Sequence, residues 1–283
     1  MSAQSVERRS PVEIAADTYV VQAIHGEGEG PLAVHMNAMV IRGREPVIVD
    51  TGTPLDRESI LEQVFGLVDP EDVRWIFITH DDIDHYGNLQ VLMDACPRAT
   101  LVASWYLTSR MGVEPGMPSP ARWRWVGDGE GFDTGDRVLR AIRPPLYDSP
   151  TTRGLFDPAT GVYWASDCFA TPVAKATSFV DEIDSADWAH GFTTFQKWNS
   201  PWVDMVDGPR FHAEVERLRA VGVQTIATCH GPTIGSGMVD RAFELLHSVP
   251  AAQVPPQPGQ PVLDEIVAAL EATALETTAL APA

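Results

Sequence analysis

The sequence predicts an α/β domain on three observations. Short β-branched runs alternate with segments of helical apolar spacing, the 283-residue chain is long enough to bury a full core, and 44% apolar against 21% charged residues is a globular composition. Disulfide-stapled, collagen-like and disordered chains are excluded by the same figures.

In order along the chain, segments 18–24, 38–41, 46–50, 74–79 and 100–103 read as strands, each a short apolar run rich in β-branched residues. Between them, segment 55–68 carries Ile60, Leu61, Val64 and Leu67 at helical spacing after Asp50-Thr51-Gly52, and 87–96 repeats the pattern with Leu89, Val91, Leu92 and Met93. The second half follows the same scheme, with strands at 138–142, 151–157, 161–165 and 225–228 and a helix over 209–221. Asp157-Pro158-Ala159-Thr160-Gly161 reads as a hairpin turn. Segment 109–131, rich in proline and glycine and holding Trp123 and Trp125, reads as an irregular insertion rather than a core element. Gly26-Glu27-Gly28-Glu29-Gly30 reads as a turn, because its glutamates would repel a phosphate and no Lys follows at the required spacing. Five prolines between 250 and 261 mark a linker, after which Val262, Ile266, Val267 and Leu270 share one helical face. The expected organisation is thus a domain over 1–249 and a Pro-rich linker with a short amphipathic helix over 250–283.

Twenty basic against thirty-nine acidic residues give a net charge of −19, with no Lys/Arg-rich run. Such a field repels a phosphate backbone and an anionic bilayer, so neither nucleic acid nor membrane is an expected partner. No apolar run approaches the ~18 residues that span a bilayer, and residues 1–14 lack the apolar stretch of a signal peptide, which makes the cytoplasm the expected location. Cys96, Cys168 and Cys229 form no C-x-x-C pair, so reduced thiols are expected. Alternation along a strand would turn Cys168 and Cys229 away from their neighbours Asp167 and His230.

The most informative stretch is Thr79-His80-Asp81-Asp82-Ile83-Asp84-His85, where an apolar strand runs into a dense group of potential ligands. Two imidazoles and two carboxylates at a strand-to-helix junction let His80 and Asp82 point one way and Asp84 and His85 another, as two adjacent cations require; a solvated acidic turn is the plain alternative. Asp167 and His230 each end another apolar strand, so all six could share one rim. The Gly231-Pro232 that follows allows tight backbone packing.

Asp50-Thr51-Gly52, His80-x-Asp82-x-Asp84-His85, Asp167 and Thr228-Cys229-His230-Gly231-Pro232 together resemble the metallo-β-lactamase superfamily. The carboxylate at Asp82 resembles its oxygen-binding diiron branch, the catalytic module of flavodiiron proteins, with the motif His-x-Glu-x-Asp-His. The resemblance implies an αββα sandwich of two mixed sheets flanked by helices. It implies two metal ions, one held by His80 and Asp82, the other by Asp84, His85 and His230, with Asp167 between them and Asp50 ordering the His-rich loop. Iron is favoured, and zinc or manganese accept the same donors.

Two departures stand out. Asp82 is one methylene shorter than the branch's Glu, and the branch's histidine before the bridging Asp has Tyr147 as its counterpart here, with Asp148 beside it. Tyr147 and Asp148 are both candidate ligands or pocket residues: Tyr147 is either a phenolate ligand or leaves an open position, and the reading favours the open position, with Asp148 hydrogen-bonding a bound water. Candidate pocket residues are His25, His35, Trp198 and Trp202, the last two part of an aromatic run with Trp188, Phe192 and Phe195. His212 and His247 fall in helical patterns and read as structural.

Relatives of that branch reduce dioxygen or nitric oxide with electrons from a flavin domain that follows the metal module. The residues after Pro250 are too few for one, so no flavin is expected in this chain, and a separate electron-transfer partner or a second copy would supply electrons. Three functions follow: a diiron oxidoreductase, an oxygen or NO sensor without turnover, and a binuclear hydrolase acting on an ester-like substrate.

Overall fold

The computed structural model describes residues 7–27, 32–114 and 116–279. In chain order its strands and helices are β1 (Glu7–Arg8), β2 (Val12–Ala15), β3 (Thr18–Val21), β4 (Ala23–His25), β5 (Val34–His35), β6 (Ala38–Ile41), β7 (Val47–Val49), α1 (Arg57–Leu67), β8 (Trp75–Phe77), α2 (Ile83–Tyr86), α3 (Leu89–Ala95), β9 (Thr100–Ala103), α4 (Trp105–Met111), β10 (Trp123–Trp125), β11 (Gly131–Asp133), β12 (Val138–Ile142), β13 (Gly154–Asp157), β14 (Val162–Trp164), α5 (Ser185–Asn199), α6 (Gly208–Arg219), β15 (Thr225–Ala227), α7 (Val239–Ser248) and α8 (Gln260–Ala279).

Strand alternation builds four layers. One seven-stranded sheet runs β10-β9-β8-β7-β6-β3-β2 and a five-stranded sheet runs β11-β12-β13-β14-β15, while β1, β4 and β5 form a small third sheet. Along β7, β8 and β9, Ile48, Ile76 and Leu101 face Ile60 and Val64 of α1, Leu89 and Leu92 of α3 and Leu107 of α4. The alternate residues Val47, Val49, Phe77 and Val102 face the other sheet, where they meet Phe132, Leu139, Leu155 and Trp164. The five-stranded sheet turns Phe156, Tyr163 and Ile226 the other way, onto Trp188 and Phe192 of α5, Phe211 and Val215 of α6 and Phe243 and Leu246 of α7. The product is the αββα sandwich.

Parallel pairing sets the site. Strands β7, β8 and β9 are mutually parallel in one sheet, as are β14 and β15 in the other. The loops after the carboxyl ends of β7, β8, β14 and β15 carry Asp50, His80–His85, Asp167 and His230, and they meet at one rim of the sandwich.

The differences from the sequence reading have local causes. Segment 18–24 divides at the buried Gln22, because β3 stays in the large sheet while β4 leaves it to pair with β1 and β5. Segment 109–131 is not merely an insertion: Trp123–Trp125 adds the edge strand β10 parallel to β9, and Val126 is buried between the sheets. The aromatic run at 188–198 lies on the helix α5. The Asp157–Gly161 turn forms as expected, with Gly161 at φ +72°. Of the expected turn at 26–30, Gly26 has φ +78°, and residues 28–30 lie outside the described residues.

Among the described residues, those up to Ala252 form one compact unit and those from Gln253 onward a second. In the second, an irregular stretch leads into α8, on which Val262, Leu263, Ile266 and Val267 are exposed; the side chain of Leu270 is outside the described residues. Among the described residues no helix is long and apolar enough to cross a membrane.

Candidate metal centre

The site is built upward from Asp50. Directly after β7 the backbone takes φ +54° at Asp50, a left-handed conformation that non-glycine residues adopt at a cost of ~1–3 kcal/mol. The turn aims a wholly buried carboxylate back under the rim. There it accepts from the Thr79 backbone N–H at 2.8 Å, the Thr79 hydroxyl at 2.9 Å, His85 Nδ1 at 2.9 Å and Trp164 Nε1 at 2.9 Å.

This acceptor orders the three imidazoles. Because Thr79 Oγ1 donates to Asp50, it accepts from Ser166 Oγ at 3.0 Å, and Ser166 Oγ in turn accepts from His80 Nδ1 at 3.0 Å. His85 Nδ1 donates to Asp50 and His230 Nδ1 to the His35 carbonyl oxygen at 3.0 Å. With Nδ1 carrying the proton in all three rings, each Nε2 presents a lone pair toward the rim. Asn37 fixes the His230 turn by donating to the carbonyls of Thr228 at 3.0 Å and Gly231 at 2.9 Å. A side chain at position 231 would put its Cβ 2.8 Å from the Thr171 nitrogen, so the close approach requires glycine there.

Against these nitrogens stand carboxylates. Asp167, 4% exposed, reaches both ways: Oδ1 lies 2.9 Å from His85 Nε2 and 3.4 Å from His230 Nε2, and Oδ2 lies 3.9 Å from His80 Nε2. Asp84 Oδ2 is 3.1 Å from His230 Nε2 and 3.7 Å from His85 Nε2. Asp82 Oδ2 and Asp148 Oδ1 stand 3.6 and 3.7 Å from His80 Nε2. His80 Nε2, His85 Nε2 and Asp167 Oδ1 are buried without a hydrogen-bond partner. Lone pairs facing one another at such distances are repulsive unless a cation lies between them. Two donor atoms on one ion with bonds of ~2.1 Å stand roughly 3.0–3.5 Å apart, so the donor set fits metal ions.

The electrostatics agree. Burial alone would lower the pKa values of His85 and His230, but Cys229, Asp167 and, respectively, Asp50 and Asp84 outweigh it and raise both well above the usual imidazole value. Burial would raise Asp84, yet the imidazoles of His230 and His85 beside it bring it down to about 2. Asp148 is pushed up to about 6 by burial and by the charges of Asp167 and Asp82, outweighing the opposing pull of His80. Without a metal, this rim gathers protons between its nitrogens and carboxylates, the same place that a bound cation would take.

All six residues singled out in the sequence as potential ligands therefore converge. Tyr147 does not join them: its ring packs on Trp202 at 5.0 Å, the Arg143 guanidinium lies 5.5 Å over it, and its carbonyl accepts from Trp202 Nε1 at 2.8 Å. Asp148 is the residue of that loop that faces His80. Of the pocket candidates, His25 pairs with the buried Asp56 at 2.6 Å, and His35 donates Nε2–H to the Thr177 carbonyl at 2.9 Å. Burial pushes the His35 pKa down to about 4. Trp188 and Phe192 are core residues, Trp198 is half-buried, and the Phe195 ring lies 6.0 Å from His230. His212 and His247 lie on α6 and α7, away from the rim.

Both thiols are buried core residues, Cys168 in the α5–α7 core and Cys229 between the sheets, but the expected turn away from the ligands fails for Cys229. β15 ends at Ala227, so strand alternation does not extend to residue 229, and its Sγ lies within 4.8 Å of donor atoms of Asp84, His85 and His230. Unforeseen in the sequence was Asp81, which accepts from Ser149 Oγ at 2.6 Å, Thr151 Oγ1 at 2.8 Å and Arg110 Nε at 2.8 Å. Burial would raise its pKa, but the two hydroxyl hydrogen bonds hold it below the usual carboxylate value.

Comparison with known proteins places this geometry. The chain is 25% identical over 203 residues to "Putative diflavin flavoprotein A 2" of Nostoc sp., covering 70% of this chain and 33% of that protein. It is 22% identical over 149 residues to "Nitric oxide reductase" of Moorella thermoacetica, covering 53% and 37%. The chain thus spans about a third of the length of these curated relatives. Among solved structures, rubredoxin oxygen:oxidoreductase from Desulfovibrio gigas superposes with a TM-score of 0.72 at 18% identity, over 84% of this chain and 61% of that one, which shows a shared metallo-β-lactamase-like fold. A family model described as ODP family beta lactamase matches residues 34–231, a span that holds every candidate ligand named above, and the chain belongs to that family.

Proposed function

We propose that this chain is a binuclear non-haem metal protein, with iron as its favoured metal, that binds and reduces dioxygen or nitric oxide using electrons from a separate partner. One observation carries the reading: Asp167 directs one oxygen to His85 and His230 and the other to His80, dividing the imidazoles into two sets with a shared carboxylate between them. In this reading His80 and Asp82 hold one ion, Asp84, His85 and His230 the other, and Asp167 bridges. The names of the relatives, a nitric oxide reductase and an oxygen oxidoreductase, support a diatomic oxidant over an ester-like substrate.

A bound pair of iron ions would relay the partner's electrons and offer coordination positions for a small oxidant. The chain's own residues supply the frame. Asp50 keeps the proton on His85 Nδ1, Ser166 keeps one on His80 Nδ1 and the His35 carbonyl keeps one on His230 Nδ1, so each Nε2 is held as a donor. Asn199 Nδ2 reaches Asp167 Oδ2 at 3.4 Å and steadies the bridge from α5. The test is metal analysis with Mössbauer and EPR spectroscopy on protein purified with and without air, followed by oxygen and NO consumption with a chemical reductant. Two irons per chain and reductant-dependent consumption are expected. Binding of the diatomic without turnover would make the chain a sensor, and a zinc-only centre with esterase activity would overturn the reading.

A further inference from the structure

We propose that Asp148 is a ligand, completing the His80–Asp82 position and making the two metal positions chemically unequal. The first is then one imidazole with three carboxylates, a harder set that holds Mn2+ as well as iron, and the second keeps two imidazoles and favours iron or zinc over Mn2+. The inference rests on the binuclear reading above and adds to it the identity of the donor that stands in for the missing histidine.

Three observations carry it. His80 Nε2 is wholly buried, has no hydrogen-bond partner, and faces Asp148 Oδ1 at 3.7 Å, nearly the distance at which it faces Asp82 Oδ2. Donor atoms of His80, Asp82 and Asp148 all lie within 4.8 Å of one another. Tyr147, the counterpart of the branch's histidine, packs its ring against Trp202 and under Arg143 and does not face His80.

The loop is also built to keep Asp148 in place. Asp81 sits between His80 and Asp82, and Ser149 follows Asp148; the hydrogen bond of 2.6 Å from Ser149 Oγ to Asp81 Oδ1 joins the two loops one residue from each donor. Thr151 Oγ1 reaches the same oxygen, and Arg110 Nε holds the other. The donor geometry around His80 is therefore set by neighbours of the ligands.

The chemistry follows from the donor atoms. His80, Asp82, Asp148 and the shared Asp167 give one nitrogen and three oxygens, while His85, His230, Asp84 and the shared Asp167 give two of each. Carboxylate oxygens suit manganese, and imidazole nitrogens favour iron and zinc over it. Two divalent ions would balance the four carboxylates.

The test uses the full chain, stripped of metal and titrated with Mn2+ while the EPR signal of free Mn2+ is followed, then with Zn2+ as competitor. The parent is expected to bind two Mn2+ ions, and Zn2+ to displace the second-position ion first, leaving a mononuclear Mn2+ signal. Asp148→Asn, which keeps the shape and removes the charge, should weaken the remaining Mn2+ by about 10- to 100-fold and leave the other position unchanged. Asp148→His should bind at both positions but let Zn2+ displace Mn2+ from each. Tyr147→Phe should match the parent. Two bound ions with parental affinities in Asp148→Asn, or a loss confined to Tyr147→Phe, would overturn the Asp148 assignment and leave the binuclear reading intact. A parent chain that binds neither Mn2+ nor iron would overturn both.

Discussion

The two halves of the rim are held in different ways. Around His85 and His230 each imidazole is backed by a buried acceptor, Asp50 or the His35 carbonyl, and Asn37 clips the turn that carries His230. Around His80 there is one imidazole, Asp82 is 55% exposed, and Asp148 is kept near by a hydroxyl on the next residue. The first arrangement is fixed by the core; the second is fixed by a link between two loops. Pre-organised donors lose little freedom on binding a metal, so when one metal is added alone the His85–His230 half should fill first.

The strongest way to break this contrast is to remove the residue common to both halves. Asp167→Ala should reduce the chain to at most one bound ion, on the His85–His230 side, as read by metal content after gel filtration. Retention of two ions would show that the bridge is elsewhere. Next comes the buried support: Asp50→Ala strands donors on Thr79, His85 and Trp164 and should cost about 3–5 kcal/mol in urea unfolding of the metal-free protein. It should weaken the His85–His230 position by about 10- to 100-fold and the His80 position less.

The third test uses pH. Folded His35 has its pKa lowered from 6.5 to about 4, because Nδ1 is buried without a partner. Its neutral form therefore stabilises the native state fully above pH 6.5, and that contribution is lost as pH falls from 6.5 toward 4. By pH 5 the metal-free protein should lose about 2 kcal/mol from this group, and His35→Asn should lack that part of the acid-side loss. The smallest effect belongs to the loop link. Ser149→Ala should cost about 1 kcal/mol and lower affinity at the His80 position several-fold, with the other position unchanged in the same Mn2+ titration.

Legibility in the sequence tracked distance along the chain. His80, Asp82, Asp84 and His85 were visible because one strand-to-helix junction carries them all. Asp167 and His230 were visible because each ends an apolar run; alternating strands and helices implied an α/β domain, and the family resemblance implied the sandwich. What stayed hidden depended on partners far away: Asp81 has meaning only beside Ser149, 68 residues on. The edge strand at Trp123–Trp125 was masked by its Pro- and Gly-rich flanks, since β10 owes its place to pairing with β9. Cys229 was misplaced by extending strand geometry past the point where β15 stops. The choice between Tyr147 and Asp148 required the packing of Trp202, which no local pattern reveals.

The indole of Trp164 comes from the five-stranded sheet and the carboxylate of Asp50 from the seven-stranded one, and their 2.9 Å hydrogen bond crosses the interior beneath the rim. The proposed ligands divide the same way, with His80 to His85 on one sheet and Asp167 and His230 on the other. A bound ion would thus act as a staple between the two layers, added to the hydrogen bonds and apolar packing that already join them there. Ligand held at 1,000 times its dissociation constant adds about 4 kcal/mol to a fold by mass action. Metal loading should then be readable far from the rim, as slowed amide exchange in both sheets at once, with Trp164 as a native fluorophore at the seam.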